Sequence, residues 1–267
     1  MLTILTPIKQ KDLLYFLVLS LAFILTACQA GETPEPQPKP QDKSSDALSC
    51  EETFAYFSKL AFQVEGQGEE HDLWKWGQLL GGDGVIKIYV QTEDGSDVWE
   101  VFLGQLGAKV NQFLGGVRLE PTPTPPPSAL TPSTLSVFIS SPEAYLAFEP
   151  QASLEGRDSY FFIYQALGKI ISASLWINSH AGGSERYLEH LLYKNFGHVL
   201  GLTNSSGDYS DSIFYDKGTS VNSYSRADRD MLRLLYADAV YANMNKGAFE
   251  AWLTGMSPQQ LSLECQP

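Results

Sequence analysis

Four histidines and three cysteines are the side chains with which this 267-residue sequence could hold a metal or carry a nucleophile. His190, Lys194 and His198 stand four residues apart, which on a helix places them on one face. An ammonium between the two imidazoles repels a cation, which argues against a metal there. His71 precedes Leu73, Trp74 and Trp76 and reads as packing on a tryptophan-rich edge. His180 occupies a Ser-His-Ala-Gly loop that could rim a cleft. Asp208 and Asp211 are too sparse for a calcium loop. The cysteines form no C-x-x-C pair, which excludes a zinc ribbon or a thioredoxin-type site. Neither a G-x-x-x-x-G-K-[ST] phosphate loop nor a G-x-S-x-G elbow occurs, so nucleotide hydrolysis and serine hydrolysis are not expected.

The elements that must hold these groups follow from apolar spacing. Ser184 opens a helix that runs to about Leu200, with Gly201 as its stop. Along it Leu188, Leu191, Leu192, Asn195, Phe196 and Val199 form one stripe. Asn195 lies near the middle of that stripe, so its amide is expected to be buried and hydrogen-bonded. His198 falls at the edge as a satisfied boundary residue, and Lys194 further round, toward solvent or a cleft. Other helices are expected over 51–62, after a capping Asp97 as far as Gly115-Gly116, and over 225–237 and 246–253. Strands are expected over 85–90, 117–120 and 135–139, with a hairpin of 160–164 and 169–177 turning at Gly168. Residues 121–132 hold six prolines and read as a surface loop inside one domain. The order predicts an α/β (α+β) fold, a mixed twisted sheet packed by helices.

The run Tyr193 to Tyr215, YKNFGHVLGLTNSSGDYSDSIFY, resembles the active-site helix and turn of metzincin-type zinc peptidases, H-E-x-x-H-x-x-G-x-x-H followed by a Met-turn. In that register His198 matches the second histidine, Gly201 the glycine, and Phe214 the Met-turn methionine. Lys194 replaces the first histidine, Asn195 the general-base glutamate and Asn204 the third histidine. An ammonium cannot ligate zinc, and an amide cannot take a proton from zinc-bound water. The same run, with DMLRLLY and Met244, is similar to a family of exported bacterial proteins, domain of unknown function 2927. That resemblance is close over 190–244 and loose over 71–177. It implies a peptidase-like fold without the zinc ligands and brings no activity. In it His198 stands at a glutamine position, so His198 need not be a relict ligand. What the resemblance implies is a cleft with Asn195, His198, Asn204 and Tyr215 as candidate residues, no catalytic or metal site, and no cofactor.

The N-terminus reads as an export signal over 1–27. Lys9 and Lys11 precede an apolar run from Leu13 to Leu25, too short to span a bilayer. Leu25-Thr26-Ala27-Cys28 resembles the lipobox of bacterial lipoproteins, which implies acylation of Cys28 and anchorage on the extracytoplasmic face. Residues 28–49 read as a tether ahead of a domain at 50–267, extended over Gly31 to Asp46 by Pro34, Pro36, Pro38 and Pro40 among polar residues. With Cys28 acylated, Cys50 and Cys265 remain, and a disulfide between them is expected outside the cytoplasm. The net charge of -13 excludes nucleic acid as a partner. The leading expectation is a lipid-anchored protein with a non-catalytic binding or structural domain. Two alternatives stand beside it. One is a zinc peptidase recruiting His198 with Asp208 or Asp211. The other is a solute-binding protein whose groove uses Trp74, Trp76 and Trp99 for stacking.

Overall fold

The computed structural model describes residues 44–45, 48–65, 70–77, 83–182, 184–217 and 221–256. The expected signal peptide, Cys28, most of the tether and Cys265 lie outside the described residues. All described residues belong to one compact unit, Asp42–Pro267. None of its described helices is long and apolar enough to cross a membrane.

The chain forms an α/β domain around a six-stranded sheet. Helix α1 (Cys50–Ala61) begins with a capping box in which Ser49 and Glu52 satisfy each other's backbone N–H. Strand β1 (Lys75–Trp76) is followed by β2 (Val85–Thr92), α2 (Val98–Val110), β3 (Arg118–Pro121) and β4 (Thr134–Ser140). Asp97 stands at the N-cap of α2 but makes no side-chain capping bond. The Ser96 hydroxyl accepts from Val98 N–H at 3.3 Å, so the serine does what the spacing assigns to the aspartate. A short helix α3 (Pro142–Phe148) leads to β5 (Ser159–Ala166) and β6 (Lys169–Asn178), and then to α4 (Glu185–Val199), α5 (Arg226–Leu235) and α6 (Lys246–Gly255).

The sheet runs β1-β6-β4-β2-β3 in parallel, and β5 pairs antiparallel with β6. Both β1 and β5 pair with Lys169 and Ile170, so β1 must lie on the β4 side of β6, ahead of the β4 pairing that starts at Ser172. Leu167 and Gly168 make a two-residue turn with φ of 53° and 72°, the positive pair that matches the twist of a hairpin. Every residue of β4 is buried, because helices cover both faces there. Alternate residues Leu135, Val137 and Ile139 enter the main core with Ala173, Leu175 and Ile177 of β6. Phe138 and Trp176 point the other way and pack with Tyr145 of α3 and Leu154 in a smaller cluster. Serines on that second face are satisfied: Tyr145 Oη and Ser174 Oγ are 2.7 Å apart, and Ser172 donates to the Ala129 carbonyl at 2.8 Å. Helix α4 packs on β5 and β6, and α2 on β2 and β3.

Candidate functional site

Helix α4 and strand β5 wall a cavity of about 490 Å³. From β5 it takes Ser159, Tyr160 and Phe161; from α4, Tyr187, His190, Lys194 and Asn195 among others. Three separate loops supply the rest of its rim, among them Glu65, Arg157, Tyr215 and Asp216. The helix presents Lys194 and His190 to this space because they sit one turn apart on the same face.

The four positions singled out by the metzincin-like register, Lys194, Asn195, His198 and Asn204, all face other parts of the protein. Asn195 is buried, and its amide donates to Ser159 Oγ at 3.0 Å and to the Leu191 carbonyl at 2.8 Å. It therefore ties the helix to the first residue of β5. Asn204 donates to the Lys59 carbonyl at 3.0 Å and to Gln63 Oε1 at 3.1 Å, so it anchors the end of α1 and does not line the cavity. His198 is 1% exposed, deeper than a boundary residue, and lies behind the cavity wall. Its ring stacks on Phe161 at 4.9 Å and leans on Phe214 at 5.5 Å. Among the candidates, Asn195 and Tyr215 line the space, and His198 and Asn204 do not.

Glu65 is the residue that sequence reasoning misses. Its backbone N–H donates to the Thr203 carbonyl at 2.9 Å, and the Thr203 hydroxyl donates to the Gln63 carbonyl at 2.6 Å. That clasp brings the carboxylate to Lys194 Nζ at 3.0 Å and His198 Nε2 at 3.2 Å. The second contact has ion-pair distance but not hydrogen-bond geometry, and Nε2 has no hydrogen-bonding partner among the described residues. His198 Nδ1 faces the Leu202 carbonyl at 2.5 Å and must be the protonated nitrogen, so Nε2 can donate to Glu65 only when the ring carries both protons. Burial alone would raise the Glu65 carboxyl, but His198 and Lys194 outweigh it and hold the carboxyl far below its ordinary 4.5. A depressed carboxyl contributes stability above its unfolded value, and that contribution is lost as pH falls through the folded one. The melting-temperature deficit of Glu65→Gln is therefore expected to be full at pH 7 and to shrink steadily below about pH 4.5. Equal deficits at pH 7 and pH 3 would refute the pairing.

A second, fully buried carboxylate shapes the rim from below. Asp228 accepts from Ser212 Oγ at 2.5 Å, Ile213 N–H at 3.0 Å and Ser225 N–H at 2.8 Å. Burial pushes its carboxyl up, and these hydrogen bonds pull the other way. The turn so fixed drives Phe214 against α4, where a Cβ on Gly197 would meet the ring at 2.4 Å. Tyr215 follows at the cavity.

Residues 144–255 match the family described as Protein of unknown function (DUF2927). The match opens within α3 and closes at the end of α6, and so takes in β5, α4 and the Asp228 turn. Glu65 comes from outside the DUF2927 region, which leaves the cavity built from matched and unmatched parts of the chain. No curated protein matches the chain.

Among the described residues no three of histidine, cysteine, aspartate and glutamate come together as a metal site. Asp208 pairs with Lys59 at 2.6 Å, and Asp211 accepts from Ser45 N–H at 2.9 Å. Trp76 is buried with its indole donating to the Val199 carbonyl at 2.8 Å, and Trp74 stacks on His71 at 4.2 Å. Trp99 lines a smaller hollow with His180. None of the three tryptophans lines the α4–β5 cavity. Cys50 is disulfide-bonded, with its partner outside the described residues.

Proposed function

We propose that this chain is a lipid-anchored bacterial envelope protein whose DUF2927 region binds a ligand in the α4–β5 cavity and carries out no zinc hydrolysis. The observation that supports it most directly is the Glu65 carboxylate bridging Lys194 and His198. At two positions where a metzincin-like register asks for zinc ligands, an internal ion pair stands in the place of a cation. The general-base position is Asn195, whose amide is spent on Ser159 and Leu191. A metzincin-like ancestry fits the helix, the antiparallel strand beside it and the Phe214 turn, and it belongs to this proposal. The rearranged peptidase set is disfavoured by the ties that hold Asp208 and Asp211 elsewhere. Anchorage rests on the lipobox-like Cys28, and pairing of Cys50 with Cys265 on the cysteine count.

Protein purified without added metal is expected to hold no stoichiometric zinc and to leave casein intact. Casein cleavage that chelator abolishes would overturn the non-catalytic reading, since ligands and base together cannot be dispensed with. In the same cells Cys28→Ser is expected to accumulate as unprocessed precursor without radioactive palmitate. Normal labelling of that variant would remove the anchor from the proposal.

A further inference from the structure

His190 is 5% exposed, yet it lines the cavity. Its Nδ1 lies 2.8 Å from the Val221 carbonyl, which can only accept, so the proton sits on Nδ1. Nε2 is left as a lone pair with no hydrogen-bonding partner among the described residues, on a ring that lines the cavity. Burial, helped by the charge on Lys194, lowers the ring below its ordinary 6.5 and keeps it neutral. An acceptor of this kind is matched by a hydroxyl or N–H donor of a ligand, which an ionised carboxylate by itself does not have.

Arg157 supplies the opposite demand. Its guanidinium lies over the Tyr160 ring at 5.6 Å and has no carboxylate partner among the described residues. A guanidinium over an aromatic ring keeps its N–H donors available for an anion, and Arg157 lines the cavity. Lys194 is already neutralised by Glu65, so Arg157 is the cation with capacity to spare. The Tyr187 ring, fixed by its hydroxyl donating to Asp158 at 2.9 Å, offers a rigid apolar face. The net charge of -13 repels anions at long range, so selection must come from these short contacts.

Resting on the cavity as a ligand site, we infer that its ligand is a saccharide whose ring carries a carboxylate. Arg157 clamps the carboxylate, His190 Nε2 accepts from a ring hydroxyl, and Tyr187 stacks on the sugar face. A cavity of about 490 Å³ has room for one or two such rings.

Calorimetric titration of the detergent-solubilised full chain tests this, with trigalacturonate, its methyl ester, tricarballylate and trialanine as probes. Trigalacturonate is expected to bind saturably, and its ester, which keeps the hydroxyls but not the charge, roughly tenfold or more weakly. Arg157→Gln, at an exposed position, should fold normally and erase the difference between acid and ester. His190→Phe should weaken both sugars alike, with its melting curve recorded to verify folding. Tricarballylate binding as tightly as trigalacturonate would show that hydroxyls are not read and would overturn the inference. Trialanine binding with the same Arg157 dependence would keep the cavity as a ligand site and overturn the saccharide. Binding of no probe by folded protein overturns the saccharide as well, and the zinc and casein results judge the non-catalytic reading separately.

Discussion

Gly201→Ala is expected to cost about 2–4 kcal/mol of unfolding free energy in urea denaturation, from backbone strain and overpacking together. Gly201 has φ of 114°, which an L side chain rarely adopts. A Cβ there would lie 2.2 Å from the Trp74 carbonyl oxygen and 3.2 Å from Leu235 Cδ2. The backbone carbonyl cannot move away cheaply, because β1 latches the end of α4 at this point. Trp76 donates its indole N–H to the Val199 carbonyl, and Tyr236 donates to the Leu200 carbonyl at 2.9 Å. Helix ends leave such carbonyls without internal partners, and here two aromatic donors supply them. A loss below about 0.5 kcal/mol would mean that the latch is looser than these distances allow.

Asp228→Ala should do more damage, about 3–5 kcal/mol, because it strands a buried N–H, a half-buried N–H and a buried hydroxyl at once. The Ser212 hydroxyl that loses its acceptor also lies 2.6 Å from Tyr56 Oη and accepts from Phe214 N–H at 3.0 Å, so the disturbance spreads from α5 to α1. Asp228→Asn keeps the shape and one acceptor and should lose roughly half as much. Equal stability of wild type and the alanine variant would show that the network is replaceable. Since the turn seats Phe214 on α4, near-ultraviolet circular dichroism of the aromatic cluster should change in step with the stability.

Much of the α4 neighbourhood is legible in the sequence, for a physical reason. Helical spacing reports which face of a segment avoids water, so Asn195 emerges as buried and Gly201 as a stop. Strand alternation and a glycine do the same for the β5–β6 hairpin. What such spacing cannot report is a partner far along the chain. Glu65 meets Lys194 across 129 residues, and nothing local marks Glu65 from other surface carboxylates. The depth of His198 escapes for a related reason. Its two ring neighbours, Phe161 and Phe214, come from a strand and a turn that helical periodicity does not see. Strand β1 has only two residues, and α3 only seven, too short for either period to register. The Ser-Asp capping box at 225–228 was written locally, but its carboxylate doubles as the anchor of a distant turn.

Strand β6 touches three partners, and they reach it on different clocks. β5 arrives through a two-residue turn, a step of roughly 1–10 μs for a hairpin. β4 and β1 must come from far upstream, and parallel pairing pays the entropy of loop closure before any contact rewards it. The hairpin is thus expected to form first, and pulse-labelled hydrogen exchange should protect β5 and β6 before β2 and β3. Register errors made in that first step would carry through to every strand laid down after it. On that order one cavity wall would form, with Ser159 set for Asn195, before the sheet behind it closes.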